Sequence, residues 1–129
     1  MIELTKAEEN ILNYLWELGE GTVQDVLALI PGEKKPSRTT ISTVIRILER
    51  KKAVAHRAIN RRDYIYYPVL KKEDYSRWQL FGMLKRYFNN SFASLTSCFA
   101  KESNISLEEL DQLIEEAKKN LEGPSKTNE

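Results

Sequence analysis

The chain has 129 residues, 41% hydrophobic and 30% charged, enough for one domain with a true core or for a small domain plus an oligomerisation segment. No apolar run approaches the ~20 residues of a membrane span, and the start MIELTKAEEN lacks the basic and apolar regions of a secretion signal, so a cytoplasmic protein without membrane insertion is expected. One cysteine and one histidine exclude an intramolecular disulfide and a zinc-finger ligand set, and neither metal nor cofactor is expected. The net charge of +1 argues by itself against a nucleic-acid protein, and only its distribution along the chain reverses that.

Thr5 with Glu8 three residues on forms a capping box. Ala7, Ile11, Leu12, Leu15 and Leu18 follow at helical spacing until Gly19 and Gly21 stop the first helix. Thr22 with Asp25 opens a short second helix, which runs through Ile30 and ends at Pro31 and Gly32. Ser37, after Pro36, is placed to accept from the free amides of a third helix. There Ile41, Val44, Ile45 and Leu48 make one apolar stripe. The opposite side carries Thr39, Thr43, Arg46 and Arg50, with Ser42 on the shoulder, and Arg38 and Thr40 lie in the first turn. Two β-rich runs, Ala53 to Ile59 and Asp63 to Val69, flank the turn NRRD and predict a hairpin with Arg61 and Arg62 at its tip.

Three helices and then a basic hairpin is the order of a winged helix-turn-helix, in which the third helix enters the major groove and the wing lies on the flanking backbone. The charge agrees with this. Between Lys34 and Arg62 stand ten basic residues against Glu49 alone, whereas Glu102 to Glu122 holds seven acids against Lys118 and Lys119. A concentrated basic patch is the footprint of a phosphate-binding surface. Arg46 or Arg50 suits guanine O6 and N7, while Ser37, Thr39, Thr40, Ser42 and Thr43 suit phosphate oxygens, base edges or a thymine methyl. Arg57, Arg61 and Arg62 suit phosphates or a narrow minor groove. Tyr64, Tyr66 and Tyr67 alternate along a strand and are expected to pack across it.

Lys72 to Tyr87 carries Tyr75, Trp78, Leu80, Phe81, Met83, Leu84 and Tyr87, more large apolar groups than a small wing covers. Asn89 and Asn90 end that helix, and Phe92, Leu95 and Phe99 belong to the next. Ser106 and Glu109 cap a last one with Leu107, Leu110, Ile114, Ala117 and Leu121. Packing against a second copy would bury this surface, so the expected organisation is a winged-helix domain over 1–70, a helical dimerisation region over 71–122 and a frayed tail over 123–129. The fold class is mainly α with a small β-hairpin.

The stretches LTKAEENILNYLWELGEGTVQDV, SRTTISTVIRILERKKAV, RRDYIYYPV and FASLTSCFAKE, in this order over about Leu4 to Lys119, resemble the penicillinase repressor family of BlaI and MecI type, bacterial winged-helix regulators. The resemblance implies a homodimeric repressor on an inverted-repeat operator in double-stranded DNA, released when a membrane-anchored sensor metalloprotease triggers its cleavage. Three positions depart from the family's pattern. Ile47 stands where arginine often precedes the last leucine of the recognition helix, and Ala53 where glycine often precedes the wing. The family's cut, usually between asparagine and phenylalanine, maps to Cys98 and Phe99. The cysteine-rich tail of copper-responsive relatives is missing, which disfavours copper sensing.

Cys98, among Phe92, Leu95 and Phe99 and without an adjoining cation, is expected to be a small buried apolar group rather than a redox sensor. His56 is a strand residue of the wing. With no nucleophile motif and no glycine-rich phosphate loop, no enzymatic activity is expected. Two other readings stand beside a repressor: a winged-helix module that docks a protein partner and binds DNA only non-specifically, and an accessory subunit of an enzyme, for which no residue pattern argues.

Overall fold

In the computed structural model, which describes residues 3–122, every one of the first three helices starts where a hydroxyl meets free amides. Helix α1 (Lys6–Leu18) begins at the Thr5–Glu8 capping box, α2 (Val23–Leu29) at the Thr22–Asp25 box, and α3 (Arg38–Arg50) at Ser37, whose side chain accepts from the Thr40 amide. Strands β1 (Val54–Ala58) and β2 (Tyr64–Pro68) pair antiparallel in the register Val54 with Pro68 and Ala58 with Tyr64. Helices α4 (Lys72–Phe88), α5 (Phe92–Ser103) and α6 (Leu107–Leu121) complete the described chain. The expected tail, 123–129, lies outside the described residues.

The described residues divide into two compact units, one ending at Gln79 and the other beginning at Leu80. The first is built on the stripe of α3. Ile41, Ile45 and Leu48 are buried against Ile11, Leu12 and Leu15 of α1 and Val26 of α2, with Val54 and Tyr66 of the hairpin closing the cluster. Burying a Leu or Ile side chain contributes about 1.5–3 kcal/mol, so these contacts fix α3 and leave its other side to solvent. A feature that the apolar pattern does not announce joins the hairpin to the helices. Gly21, between α1 and α2, exchanges two backbone hydrogen bonds with Tyr66, at 2.9 and 2.8 Å, as an isolated antiparallel bridge on β2. A Cβ on Gly21 would meet the Leu18 and Asp25 side chains at 3.1 Å, so any larger residue there must push them aside by a few tenths of an ångström.

Before the wing the left-handed backbone falls on Lys52, with φ 65°, while Ala53 is buried. The left-handed turn into β1 thus falls on Lys52 and not on Ala53. After the wing, the start of α4 belongs to the first unit. Tyr75 is 4% exposed and lies between the Trp16 and Trp78 rings, each centroid 6.0 Å away. Its hydroxyl donates to Glu9 Oε2 at 2.7 Å and accepts from Gln79 Nε2 at 2.7 Å, while Trp16 Nε1 donates to the Leu70 carbonyl at 2.9 Å. Burial and the Glu9 carboxylate push the Tyr75 hydroxyl up to about 12.

In the second unit α4 ends at Asn89 and Asn90, both with positive φ, and Asn104 ends α5 in the left-handed region. Ser91 caps α5, and Ser106 with Glu109 caps α6. Neither α5 nor α6 carries a buried residue within the chain.

Candidate nucleic-acid interface

Because the stripe of α3 faces the core, helical geometry turns Thr39, Ser42, Thr43 and Arg46 outward on one side. Opposite them stands the hairpin. The two enclose an open groove of about 320 Å³ lined by Arg38, Thr39, Ser42, Thr43, Arg46, Arg62, Asp63, Tyr64 and Tyr66, together with Thr22, the cap of α2, and Val23. The groove thus carries three guanidinium groups and several hydroxyls. Thr43 is turned back on its helix, donating to the Thr39 carbonyl at 2.9 Å. At the wing tip the Asn60 side chain accepts from the amides of Arg62 and Asp63, both at 2.9 Å, and donates to Asp63 Oδ2 at 3.1 Å. This turn holds Arg61 and Arg62 outside the hairpin, and Asp63 is occupied by Asn60.

Of the eleven residues that the sequence nominates for DNA, six therefore line one groove: Arg38, Thr39, Ser42, Thr43, Arg46 and Arg62. Arg50 lies one turn beyond Arg46 on α3, and Arg61 is beside Arg62 at the tip. Ser37 is engaged as the helix cap, its hydroxyl 3.0 Å from that of Thr40. Thr40 belongs to another face, bordering an apolar hollow with Ala7, Tyr14, Ile30 and Val44. Arg57 makes a bidentate pair with Glu20, at 2.9 and 2.7 Å, which raises the guanidinium and lowers the carboxyl from their ordinary values. Lys35 donates to the Leu27 carbonyl at 3.1 Å, and Lys51 pairs with Glu8 at 2.5 Å, so with the Arg57–Glu20 pair the basic stretch is partly neutralised inside the fold. His56 Nδ1 is paired with the carboxylate of Glu49.

The sequence does not nominate Thr22, Val23, Tyr64 or Tyr66 for this groove. The alternating tyrosines were the available signal. Tyr66 packs across the hairpin as expected and is 7% exposed, whereas Tyr64 is 40% exposed and contributes to the groove wall.

The residues nominated for dimerisation are differently placed. Trp78 packs, half-buried, on the core of the first unit, and Leu84 is buried. Phe81, Phe92, Phe99, Ile114 and Ala117 are exposed within the single chain, and Leu95 and Leu110 are half-exposed. Cys98 departs from the expectation of a buried thiol. It is exposed, since α5 has no covered face within the chain, and Lys101, one turn on, borders the same shallow hollow. Among the described residues no helix is long and apolar enough to cross a membrane.

A helical tripod whose third helix turns a polar, cationic side toward a basic β-hairpin defines a winged-helix DNA-binding protein. The penicillinase repressor family matches residues 4–119, and the chain belongs to that family of DNA-binding transcriptional repressors. It is 24% identical to the penicillinase repressor of Bacillus licheniformis over 113 residues, 88% of either chain. To the penicillinase repressor of Staphylococcus aureus it is 25% identical over 112 residues, 87% of this chain and 88% of that one. A solved CopR repressor structure aligns with 54% of this chain and 100% of its own, at 27% identity and a TM-score of 0.43.

Proposed function

We propose that the chain represses transcription in the cytoplasm as a homodimer on an inverted-repeat operator, and that cleavage between Cys98 and Phe99, triggered by a membrane-anchored sensor metalloprotease, releases it. The observation that carries the DNA reading is the groove between α3 and the wing, where Arg38, Arg46 and Arg62 converge on a surface rich in hydroxyls. In this reading α3 meets base edges while the wing tip meets phosphates. The apolar groups Phe81, Phe92, Phe99 and Ile114, exposed on one chain, supply what a second copy would cover, and a two-fold pair presents two recognition helices to two half-sites. A gel shift on the DNA upstream of the chain's own gene, with scrambled competitor, tests the proposal. A shift that resists the competitor supports a repressor; weak binding indifferent to sequence would instead favour a protein-docking module.

A further inference from the structure

The flank of α3 turned away from the groove borders a second concavity, an open apolar hollow of about 240 Å³. Helical spacing separates the two. Thr40 and Val44, at i and i+4, lie on one flank and border the hollow, while Thr39, Ser42, Thr43 and Arg46 lie on the other and border the groove, with the buried stripe of Ile41 and Ile45 along the core side between them. The floor of the hollow is core. Ile11 and Ile41 are buried, and Tyr14, Ile30 and Val44 pack half-buried on the same cluster, so packed helices preform the concavity. Ala7 of α1 and Pro36, immediately before the Ser37 cap, complete its lining.

Charge decides what the hollow can take. With 30% charged residues in the chain, nine residues drawn at random would include about three, yet none of the nine that line the hollow is charged. Besides apolar surface they offer the neutral donors and acceptors of Asn10, Tyr14 and Thr40. An ion entering would leave water and meet no countercharge, so the complementary ligand is uncharged. Size narrows it further. An apolar cavity of about 150 Å³ holds benzene, so a hollow of about 240 Å³ suits one ring or two fused rings. The apolar surface also stops at the rim. Its chain neighbours Lys6, Asn13 and Lys35 are exposed polar groups, on which a protein partner needing about 800 Å² per side would have to lie. We propose that this hollow is a binding site for a small uncharged aromatic molecule with one hydrogen-bonding group, of the phenol or indole class, separate from the DNA groove.

Indole is the probe, and benzoate, of similar size but charged, is its counterpart. The full chain, labelled with nitrogen-15 and titrated with indole, should show saturable amide shifts at Ile11, Tyr14, Ile41 and Val44 and none of that size at Arg46, Arg62 and Tyr64. A Kd on the order of 1 mM is expected for a ligand of about nine heavy atoms. Benzoate should bind about tenfold more weakly or not at all, because its charge finds no partner. Ala7→Leu, at an exposed position of α1, and Val44→Phe, from α3, should each fill the hollow and weaken indole by about tenfold or more. Asn13→Leu, beside the hollow but outside its lining, should not, and circular dichroism melts confirm that all three fold. Shifts gathered on the groove or on the exposed apolar groups of α4 to α6, equal binding of benzoate, or an indole affinity untouched by both filling variants would overturn the proposal. So would signals of Ile11 and Val44 that move with protein concentration alone, since a second copy would then cover the hollow. None of these readouts involves DNA, so the repressor function stands or falls separately.

Discussion

The carboxylate of Glu8, 6% exposed in the first turn of α1, accepts from Lys51 Nζ at 2.5 Å just past the end of α3. The same ammonium donates to the Glu3 carbonyl at 3.1 Å. One pair therefore fastens the chain's start to the C-terminal end of α3. Burial acts to raise the Glu8 carboxyl, but hydrogen bonds from Lys51 and Thr5 outweigh it and hold the group below its ordinary value of 4.5. A carboxyl depressed by folding stabilises the fold fully above its unfolded value and loses that contribution as pH falls through the folded one. Lys51→Met should leave Glu8 without its cation and cost about 1–3 kcal/mol at pH 7. Urea denaturation at pH 7 and pH 4 checks this: the gap between wild type and variant should narrow in acid, and an equal gap at both would refute the assignment.

A second prediction concerns where the DNA-binding unit ends. Tyr75 and Trp78 pack on the core, and Trp16 is bound to the Leu70 carbonyl, so a fragment ending at Val69 lacks part of its own interior. Removing a buried aromatic side chain typically costs about 3–5 kcal/mol. A fragment ending at Gln79 should give a cooperative thermal transition and sediment as a monomer, whereas one ending at Val69 should melt far lower or not fold. A dimer from the Gln79 fragment would place the interface between copies in the first unit.

Roles within the basic surface should separate by salt dependence. Arg61→Ala or Arg62→Ala should weaken binding to all sequences and reduce the slope of log K against log salt by about 0.9 per lost phosphate contact. Arg46→Ala should instead relax preference at one base position, at a cost of about 1–3 kcal/mol if the contact is bidentate. Anisotropy titrations over a salt series on operator and scrambled DNA distinguish the two. Unchanged affinity in the double Arg46, Arg50 alanine variant would remove α3 from the role of recognition helix.

Arg57 should behave unlike the other wing arginines. Its guanidinium is taken by both oxygens of Glu20, and reaching a phosphate would break that pair. Arg57→Ala should therefore leave the salt slope nearly unchanged, while Glu20→Gln should tighten binding to any DNA by releasing the cation. A slope that drops as much for Arg57→Ala as for Arg62→Ala would show that the pair opens on DNA.

The contrast between Arg57 and Arg46 marks how far the sequence is readable. The caps at Thr5, Thr22, Ser37 and Ser106 lie three residues from their partners, and the stripe of Ile41, Ile45 and Leu48 repeats within one helix, so local spacing suffices to place the helices and to give α3 its two faces. Partners distant in the chain leave no such trace. Glu20 with Arg57, Glu8 with Lys51, and Gly21 with Tyr66 are separated by 37, 43 and 45 positions, and each is chosen by the packing of the helices rather than by spacing. Counting charge along the chain therefore overstates the basic surface, because it cannot tell a cation that faces solvent from one already paired. It also assigns Trp78 by apolarity alone, and apolarity does not say which neighbour it covers.

The last prediction concerns release. The bond between Cys98 and Phe99 lies in the middle of α5, with both side chains exposed on the single chain. A cut there leaves Phe92 to Cys98 and Phe99 to Ser103 as pieces shorter than an isolated helix sustains, since helices under about 12 residues are marginal in water. It also severs the covalent link between Phe92 and Leu95 on one side and α6 on the other. If these groups together hold two copies, the dimer falls apart although no DNA contact has been touched. Each copy then holds one half-site, and the gain from joint binding, about 10²–10⁴-fold, is lost. Exposure of the side chains does not make the bond ready for attack, because a protease needs extended backbone and α5 must first open locally. If the cut falls here, Cys98, where the family resemblance implies asparagine, requires a protease that accepts a thiol side chain before the cut. Cys98→Asn should therefore leave folding and operator binding intact and change the rate of cleavage in induced cells. Mass spectrometry of protein from those cells decides the matter: a fragment ending at residue 98 supports the circuit, and full-length chain under confirmed derepression excludes it.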